Sequence, residues 1–214
     1  MLDITNDDRP AAASDVTPQK KGYLTRQDVL LAARKIIRRQ GYHGTSIQDI
    51  ADALGIRKSS VYHHIKSKQD MLYQILDEAL GADTQGIAQI ASSNLPPTRK
   101  LELALAHHIS TLIEHFESVS ILYREPNSLE PPYRDIYLPK RKHFERLFRR
   151  IIDEGIDVGE FSTADSKITA FAVLGMCNWL VHWYDPEGEL SAKEIVERLT
   201  ALAKRMLLCV DSPV

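Results

Sequence analysis

Side chains that could act as nucleophiles or acid–base catalysts are poorly placed for joint action in this 214-residue sequence. Cys177 and His182 lie five residues apart on one expected helix, too far around its axis to face each other. The sequence has no glycine-rich nucleophile elbow or phosphate-binding loop to accompany them. This pattern disfavours an enzyme and predicts no cofactor.

The eight histidines do not have the spacing of a metal site either. Adjacent His63 and His64 point about 100° apart on a helix and are poorly placed to share one ion. His108 and His115 share a helical face, but a histidine pair of this kind is more often structural. The other candidate metal ligands are His107, His143 and His182. We therefore expect no metal site.

Binding rather than catalysis is indicated by the distribution of charge. The formal net charge is −2, yet residues 20–68 hold eleven Lys and Arg against three Asp. Residues 1–19 and 69–214 are both net acidic. A compact basic segment before an acidic body is typical of a nucleic-acid-binding module, although a merely solvated basic face is the alternative.

Three short helices are expected within the basic segment. The first extends from a Thr25 N-cap to Gly41, the second from Thr45-Ser46 to Gly55, and the third spans residues 59–65. Two helices joined by a glycine turn are typical of a helix-turn-helix, whose second helix enters the DNA major groove. The side chains expected to join these helices in a small core are Ile47, Ile50, Leu54, Ile56, Val61 and Ile65.

The polar residues left outside this core are candidate DNA contacts. Lys58 could donate to guanine, while Ser59, Ser60 and His63 would lie near base edges. The side chains expected to contact phosphate are Thr45, Ser46, Gln48, Tyr62, His64 and Lys68. Nucleotide or RNA binding through the basic segment is a weaker alternative, because the stacking aromatics of single-strand binders are missing apart from Tyr62.

The rest of the chain also has helical periodicity. Apolar spacing predicts helices from Ser67 to about residue 93 and over roughly 98–118, 119–125, 133–154, 163–184 and 191–209. Period-two alternation is nearly absent, so we predict an all-α fold of about nine helices. We divide it into a flexible leader (1–22), a helix-turn-helix domain (23–68) and a second helical domain (69–214).

The segment from Thr25 to Leu76 resembles the DNA-binding region of TetR-family transcriptional regulators. The resemblance rests on Gly41-Tyr42-His43-Gly44-Thr45-Ser46, Leu54-Gly55-Ile56, Val61-Tyr62-His63-His64-Ile65 and Lys66-Ser67-Lys68. It implies backbone contacts by Tyr62 and Lys68, and base contacts by Lys58, Ser59, Ser60 and His63. Arg57 replaces a serine common in relatives, so helix capping can differ here and Arg57 can itself touch DNA.

The same resemblance implies that the second domain forms a homodimer and binds a small-molecule effector. Two strongly apolar helices favour a four-helix interface between two copies, although filling the protomer's own core is the alternative. The residues that make them apolar are Phe171, Val173, Leu174, Leu180, Val181, Ile195, Leu199, Leu202, Met206 and Leu207.

A ligand pocket is predicted around the segment from Asn178 to Pro186, although aromatic residues here could simply anchor an interface. The candidate lining residues are Tyr123, Phe144, Leu174, Gly175, Asn178, Trp179, His182 and Trp183. The segment's Asn-Trp…Trp-Tyr-x-Pro-x-Gly-x-Leu-Ser pattern resembles family members that respond to acyl-CoA thioesters. The cations considered for the coenzyme phosphates are Arg141, Lys142, Arg146, Arg149 and Arg150.

We expect a cytoplasmic protein that is released from a palindromic operator when its effector binds. The first residues do not form a secretory signal, and the apolar run Ala170–Val181 is too short for a membrane span. Cys177 and Cys209 are expected to be reduced. Repression is the outcome that the resemblance implies, and the sequence leaves activation open.

Overall fold

The computed structural model describes residues 23–124 and 128–208, and the regular secondary structure in these ranges is helical. The described residues form ten helices: α1 (Arg26–Gln40), α2 (Ile47–Leu54), α3 (Lys58–Tyr62), α4 (Lys68–Ala91), α5 (Pro97–Glu114), α6 (Phe116–Arg124), α7 (Tyr133–Asp157), α8 (Ser166–Asn178), α9 (Leu180–Trp183) and α10 (Ala192–Leu207). The described residues form no sheet, only an isolated bridge between Phe161 and Leu208. The all-α prediction of about nine helices is confirmed.

Local sequence signals account for the helix ends. Capping boxes begin α1 (Thr25 with Asp28), α2 (Ser46 with Asp49) and α10 (Ser191 with Glu194). Gly55 ends α2 with φ +65°, a left-handed conformation that favours glycine. The short turn between α2 and α3 therefore follows from sequence.

Two helix boundaries differ from those expected. The helices expected over 98–118 and 119–125 are both present, but the first ends at Glu114 and Phe116 already begins α6 after a break at His115. The helix expected over 163–184 is split at Trp179 into α8 and α9. Both breaks lack proline or glycine, so periodicity alone extended the helices too far. The leader 1–22 and Cys209 lie outside the described residues.

Buried apolar side chains form two clusters. The first joins α1, α2, α3 and the start of α4, and includes the predicted core residues Ile47, Ile50, Val61 and Ile65. The second joins α5, α7, α8 and α10 with the end of α4. Helix α4 therefore contributes to both clusters.

Three residues from beyond α4 also pack into the first cluster. They are Ile121 of α6, Leu129 of the following loop and Tyr137 of α7. The side chain of Gln69, near the start of α4, donates to the carbonyl of Ser128 (2.7 Å) and accepts from the backbone N–H of Glu130 (3.0 Å). These contacts connect α6 and α7 directly to the helix-turn-helix.

Candidate nucleic-acid interface and ligand cavity

The third helix presents one polar face to the surface and one apolar face to α2. Val61 is fully buried and Ile65 nearly so, which fixes the rotation of α3. Lys58, Ser59 and Tyr62 are exposed on the opposite side. Burial by α2 thus directs the predicted contact residues outward.

The residues flanking α3 extend this exposed surface. Arg57 is the N-cap of α3, and its side chain makes no capping hydrogen bond, so α3 is capped differently from α1 and α2. Arg57 and His63 are exposed, whereas Ser60 and His64 are half-buried. We define the head surface as the exposed or half-buried set Ser46, Gln48, Arg57, Lys58, Ser59, Ser60, Tyr62, His63, His64 and Lys68.

Thr45 does not lie on the head surface. It is 2% exposed, and its hydroxyl donates to the carbonyl of Gly41 (2.8 Å). This hydrogen bond orders the turn between α1 and α2. The structure therefore gives Thr45 a role in the fold where the sequence analysis expected a phosphate contact.

Three head-surface residues are held by their neighbours. The Ser46 hydroxyl accepts from the backbone N–H of Asp49 (3.1 Å), and Gln48 donates to Asp52 (2.7 Å). Lys68 is half-buried, where its ammonium group donates to the His43 carbonyl (3.2 Å) and lies 4.4 Å from the centre of the Tyr42 ring. Such contacts restrict the rotamers of groups that would meet a phosphate.

A cavity of about 370 Å³ lies in the second cluster between α4, α6, α7 and α8. Seven of the eight predicted pocket residues line it: Tyr123, Phe144, Leu174, Gly175, Asn178, Trp179 and His182. The eighth, Trp183, is not among the lining residues and is 44% exposed. A β-carbon added at Gly175 would meet no atom within 4 Å, as expected of a glycine beside open space.

Eight lining residues were not predicted as pocket residues. They are Leu80, Asp83, Leu112, Val119, Tyr137, Arg141, Glu145 and Phe171. Most lie on helices distant in sequence from α8, and periodicity does not reveal which helices meet. Asp83 did carry a signal, because it occupies the same helical stripe as the buried Ala79 and Ile87.

The polar groups in the cavity wall have defined states and partners. Burial raises the pKa of Tyr123 to about 12 and also raises the pKa of Tyr137, so both hydroxyls keep their protons at neutral pH. Asp83 is 5% exposed and bonds to Nδ1 of the buried His108, with 2.6 Å between oxygen and nitrogen. The cavity is therefore apolar with a few fixed polar groups, as small-molecule sites usually are.

A second cavity, of about 290 Å³, adjoins the first. Both are lined by Glu145 and Phe171. We define the basic groove as the cavity lined by Lys142, Glu145, Arg146, Arg149, Lys167, Ala170 and Phe171. Of the cations expected to meet coenzyme phosphates, three line this groove and Arg141 lines the first cavity. Arg150 lines neither and forms an ion pair with Glu154 (3.2 Å).

Most of the apolar residues expected at a dimer interface are buried within the protomer. For these the alternative, that they fill its own core, is correct: Val173, Leu174, Leu180, Val181, Ile195, Leu199 and Leu207. The other three residues expected at the interface, Phe171, Leu202 and Met206, are exposed. Three further apolar residues on the same helices are also exposed: Ile168, Trp179 and Trp183. We call these six exposed residues the apolar face. They form stripes on α8–α9 and on α10.

Across residues 23–124 and 128–208, no three His, Cys, Asp or Glu side chains come close enough to hold a metal ion. None of the helices in these ranges combines the length and apolarity needed to span a bilayer.

Comparison with known proteins gives these surfaces a context. Residues 29–75 match the family model "Bacterial regulatory proteins, tetR family". Residues 94–207, just over half of the chain, match the model "Tetracyclin repressor-like, C-terminal domain". The protein belongs to the TetR family. It is a DNA-binding transcriptional regulator, as predicted, and regulators of this family act as dimers and bind small-molecule effectors.

Individual TetR relatives cover most of the chain. The HTH-type transcriptional repressor KstR2 of Mycolicibacterium smegmatis is 27% identical over 180 residues, covering 83% of this chain and 87% of the relative. The crystal structure of PfmR from Thermus thermophilus superposes with a TM-score of 0.77 at 30% identity, covering 83% of this chain and 97% of PfmR. AibR in complex with isovaleryl coenzyme A and operator DNA has a TM-score of 0.75 at 24% identity, covering 83% of this chain and 96% of AibR.

Proposed function

We propose that this TetR-family regulator is a repressor that leaves its operator when an acyl-CoA thioester binds. The observation that carries the proposal is the junction of the apolar cavity with the basic groove at Glu145 and Phe171. An acyl-CoA has the complementary construction, with an apolar acyl group attached to a phosphorylated carrier. Because operator DNA is chromosomal, the proposal also assigns the protein to the cytoplasm.

DNA recognition is assigned to the head surface. The exposed Lys58 and Ser59 begin α3, the end of a recognition helix that usually approaches base edges. Tyr62 and Lys68 are assigned to phosphates. Arg34 and Arg38 of α1 form ion pairs with Glu78 and Glu117, so we leave these two arginines out of the DNA contacts.

Two copies of the chain are required to read a palindrome. We propose that the apolar face pairs with the same face of a second protomer, because exposed indole and aliphatic groups on adjacent helices are unfavourable in water. The recognition helices of such a dimer would lie about 34 Å apart, one turn of DNA. In this proposal residues 23–68 form the helix-turn-helix domain and residues 69–214 form the second helical domain, with α4 joining the two.

The acyl group is assigned to the cavity and the phosphates to the basic groove. The groove brings together Lys142, Arg146, Arg149 and Lys167. Lys142 and Arg146 are exposed and form no ion pair or hydrogen bond with another described residue, so the ammonium group and the guanidinium group can both meet phosphate. Support for this ligand class comes from AibR, whose fold holds isovaleryl coenzyme A.

Release requires that the ligand bind better to the arrangement that does not fit DNA. Tyr137 links the two sites, because its side chain lines the cavity and packs into the helix-turn-helix cluster. A ligand that displaces Tyr137 would alter the packing of α4 in the first cluster, which also holds Val61 of α3. Helix α4 would then change the spacing of the two head surfaces.

Isothermal titration calorimetry with octanoyl-CoA tests the ligand assignment. Replacing Lys142 and Arg146 by alanine together should weaken binding at least about tenfold, since charge-assisted hydrogen bonds to phosphate are lost. Arg150→Ala is the matched control, because it removes a cation from the same helix outside the groove. Equal affinities of the double variant, the control and the unmodified protein would refute the assignment.

A further inference from the structure

We infer that the cavity selects an acyl group bearing a hydroxyl group remote from the thioester, and that Asp83 accepts the hydrogen bond from this hydroxyl. The inference rests on the proposed function and names the effector more narrowly. A saturated acyl chain would pack against the apolar wall of the cavity equally well. Only the hydroxylated chain can donate a hydrogen bond to the buried carboxylate of Asp83.

Asp83 is fixed by a single strong contact. Its Oδ2 atom lies 2.6 Å from Nδ1 of His108, which is itself 2% exposed. The His108 ring packs against Phe144 and Phe148, at centroid distances of 5.3 and 5.7 Å. The imidazole is therefore held in place and fixes the carboxylate of Asp83, a residue that lines the cavity.

The second carboxylate oxygen of Asp83 has no hydrogen-bond donor among the described residues. Oδ1 is buried, and Nε2 of His107 lies 3.8 Å away, beyond hydrogen-bonding distance. His107 packs against Gly86, where a β-carbon would lie 2.2 Å from Nε2. A buried acceptor without a donor is unfavourable, so a ligand that donates to Oδ1 gains affinity.

The chemistry of a carboxylate limits what that ligand group can be. A hydrocarbon would leave Oδ1 buried without a donor, and a carbonyl oxygen or a second carboxylate would face it with like partial charge. A hydroxyl group supplies one donor and is small enough for a cavity of this size. Its own lone pairs can accept from the protonated hydroxyl of Tyr123, which lines the same cavity.

The position of Asp83 sets where on the acyl group the hydroxyl must be. Asp83 lines the apolar cavity but not the basic groove, whereas Glu145 and Phe171 line both. With the phosphates in that groove, the thioester enters beside Glu145 and Phe171. The hydroxyl therefore lies toward the far end of the acyl chain.

Two thioesters that differ by a single oxygen atom test this inference. Calorimetry with octanoyl-CoA and ω-hydroxyoctanoyl-CoA should show at least about tenfold tighter binding of the hydroxylated thioester, as for a hydrogen bond to a charged group. Asp83→Leu should abolish this preference. Asp77→Asn, which removes a carboxylate from the same helix outside both cavities, is the matched control and should retain it.

Asp83→Leu leaves His108 without its partner, so a second variant guards against misfolding. In the double variant Asp83→Leu with His108→Phe both polar partners become apolar, and this variant should also bind the two thioesters equally. Equal binding by the unmodified protein, or a preference that survives both variants, overturns the inference and leaves the proposed function intact. Failure of both thioesters to bind overturns the proposed effector class and the inference with it.

Discussion

Lys58 begins α3 and Lys68 begins α4. The two lysines differ in environment, and this difference assigns them different roles. Lys58 is exposed at the start of α3, whereas Lys68 is half-buried between the His43 carbonyl and the Tyr42 ring. A flexible exposed lysine can reach base edges, and a fixed one can grip a phosphate at one place.

Alanine substitution should separate the two roles. Lys68→Ala should weaken binding to all duplexes and lower the salt slope by about one, while Lys58→Ala should mainly relax sequence preference. Fluorescence anisotropy at several salt concentrations measures both effects. Lys35→Ala, an exposed lysine of α1, is the control and should change neither. Equal loss of preference in the Lys58 and Lys68 variants would contradict these roles.

Cys177 is predicted to be chemically inert in the folded protein. Burial raises the pKa of its thiol to about 12, and only the thiolate is an effective nucleophile. In a Cys209→Ser background, iodoacetamide at pH 8 should modify Cys177 slowly until urea unfolds the chain. Because the pKa of the Cys177 thiol is higher in the folded chain than in the unfolded chain, the thiol contributes to the free energy of unfolding below about pH 9. This contribution is lost as the pH rises toward 12. Rapid alkylation of the native protein would refute this prediction.

At the residue scale, the sequence predicted many of the residues that line the cavity but not those on distant helices. The lining residues between Leu174 and His182 were predictable, because residues that share a helical face can be identified from their spacing. Asp83 and Tyr137 were missed because their role depends on which distant helices meet. Thr45 was misassigned because its hydroxyl bonds to the local backbone.

At the scale of elements, two helical glycines should respond oppositely to alanine. A β-carbon at Gly155 of α7 would lie 2.0 Å from the Phe161 ring, whereas one at Gly81 of α4 meets no atom within 4 Å. Gly155→Ala should destabilise the protein by about 1–3 kcal/mol through overpacking. Gly81→Ala should stabilise it by about 0.5–1 kcal/mol, because alanine is the better helix former. Urea unfolding measures both, and similar effects of the two variants would contradict the packing described.

Helix ends with a chemical signal were predictable, and those without one were not. The Thr25, Ser46 and Ser191 caps marked the starts of α1, α2 and α10. The helices also break at His115 and Trp179, and neither position carries a residue that stops a helix.

At the scale of the whole molecule, the apolar face should control assembly and hence DNA affinity. Leu202 and Met206 are 49% and 47% exposed on α10. Replacing both with glutamate should yield a monomer by analytical ultracentrifugation and weaken operator binding, because a single recognition helix binds poorly. Val158→Glu is the control, since Val158 is 63% exposed but lies at the end of α7. A double variant that stays dimeric would place the interface elsewhere.

The measurement that tests the account most directly follows an operator duplex during titration with an acyl-CoA. The duplex is one that the purified protein selects from a random-sequence library, and its fluorescence anisotropy reports binding. We predict that octanoyl-CoA returns the anisotropy to that of free duplex over the concentrations at which calorimetry shows the cavity filling, while coenzyme A alone does not. A duplex that remains bound to protein saturated with the thioester would contradict the account.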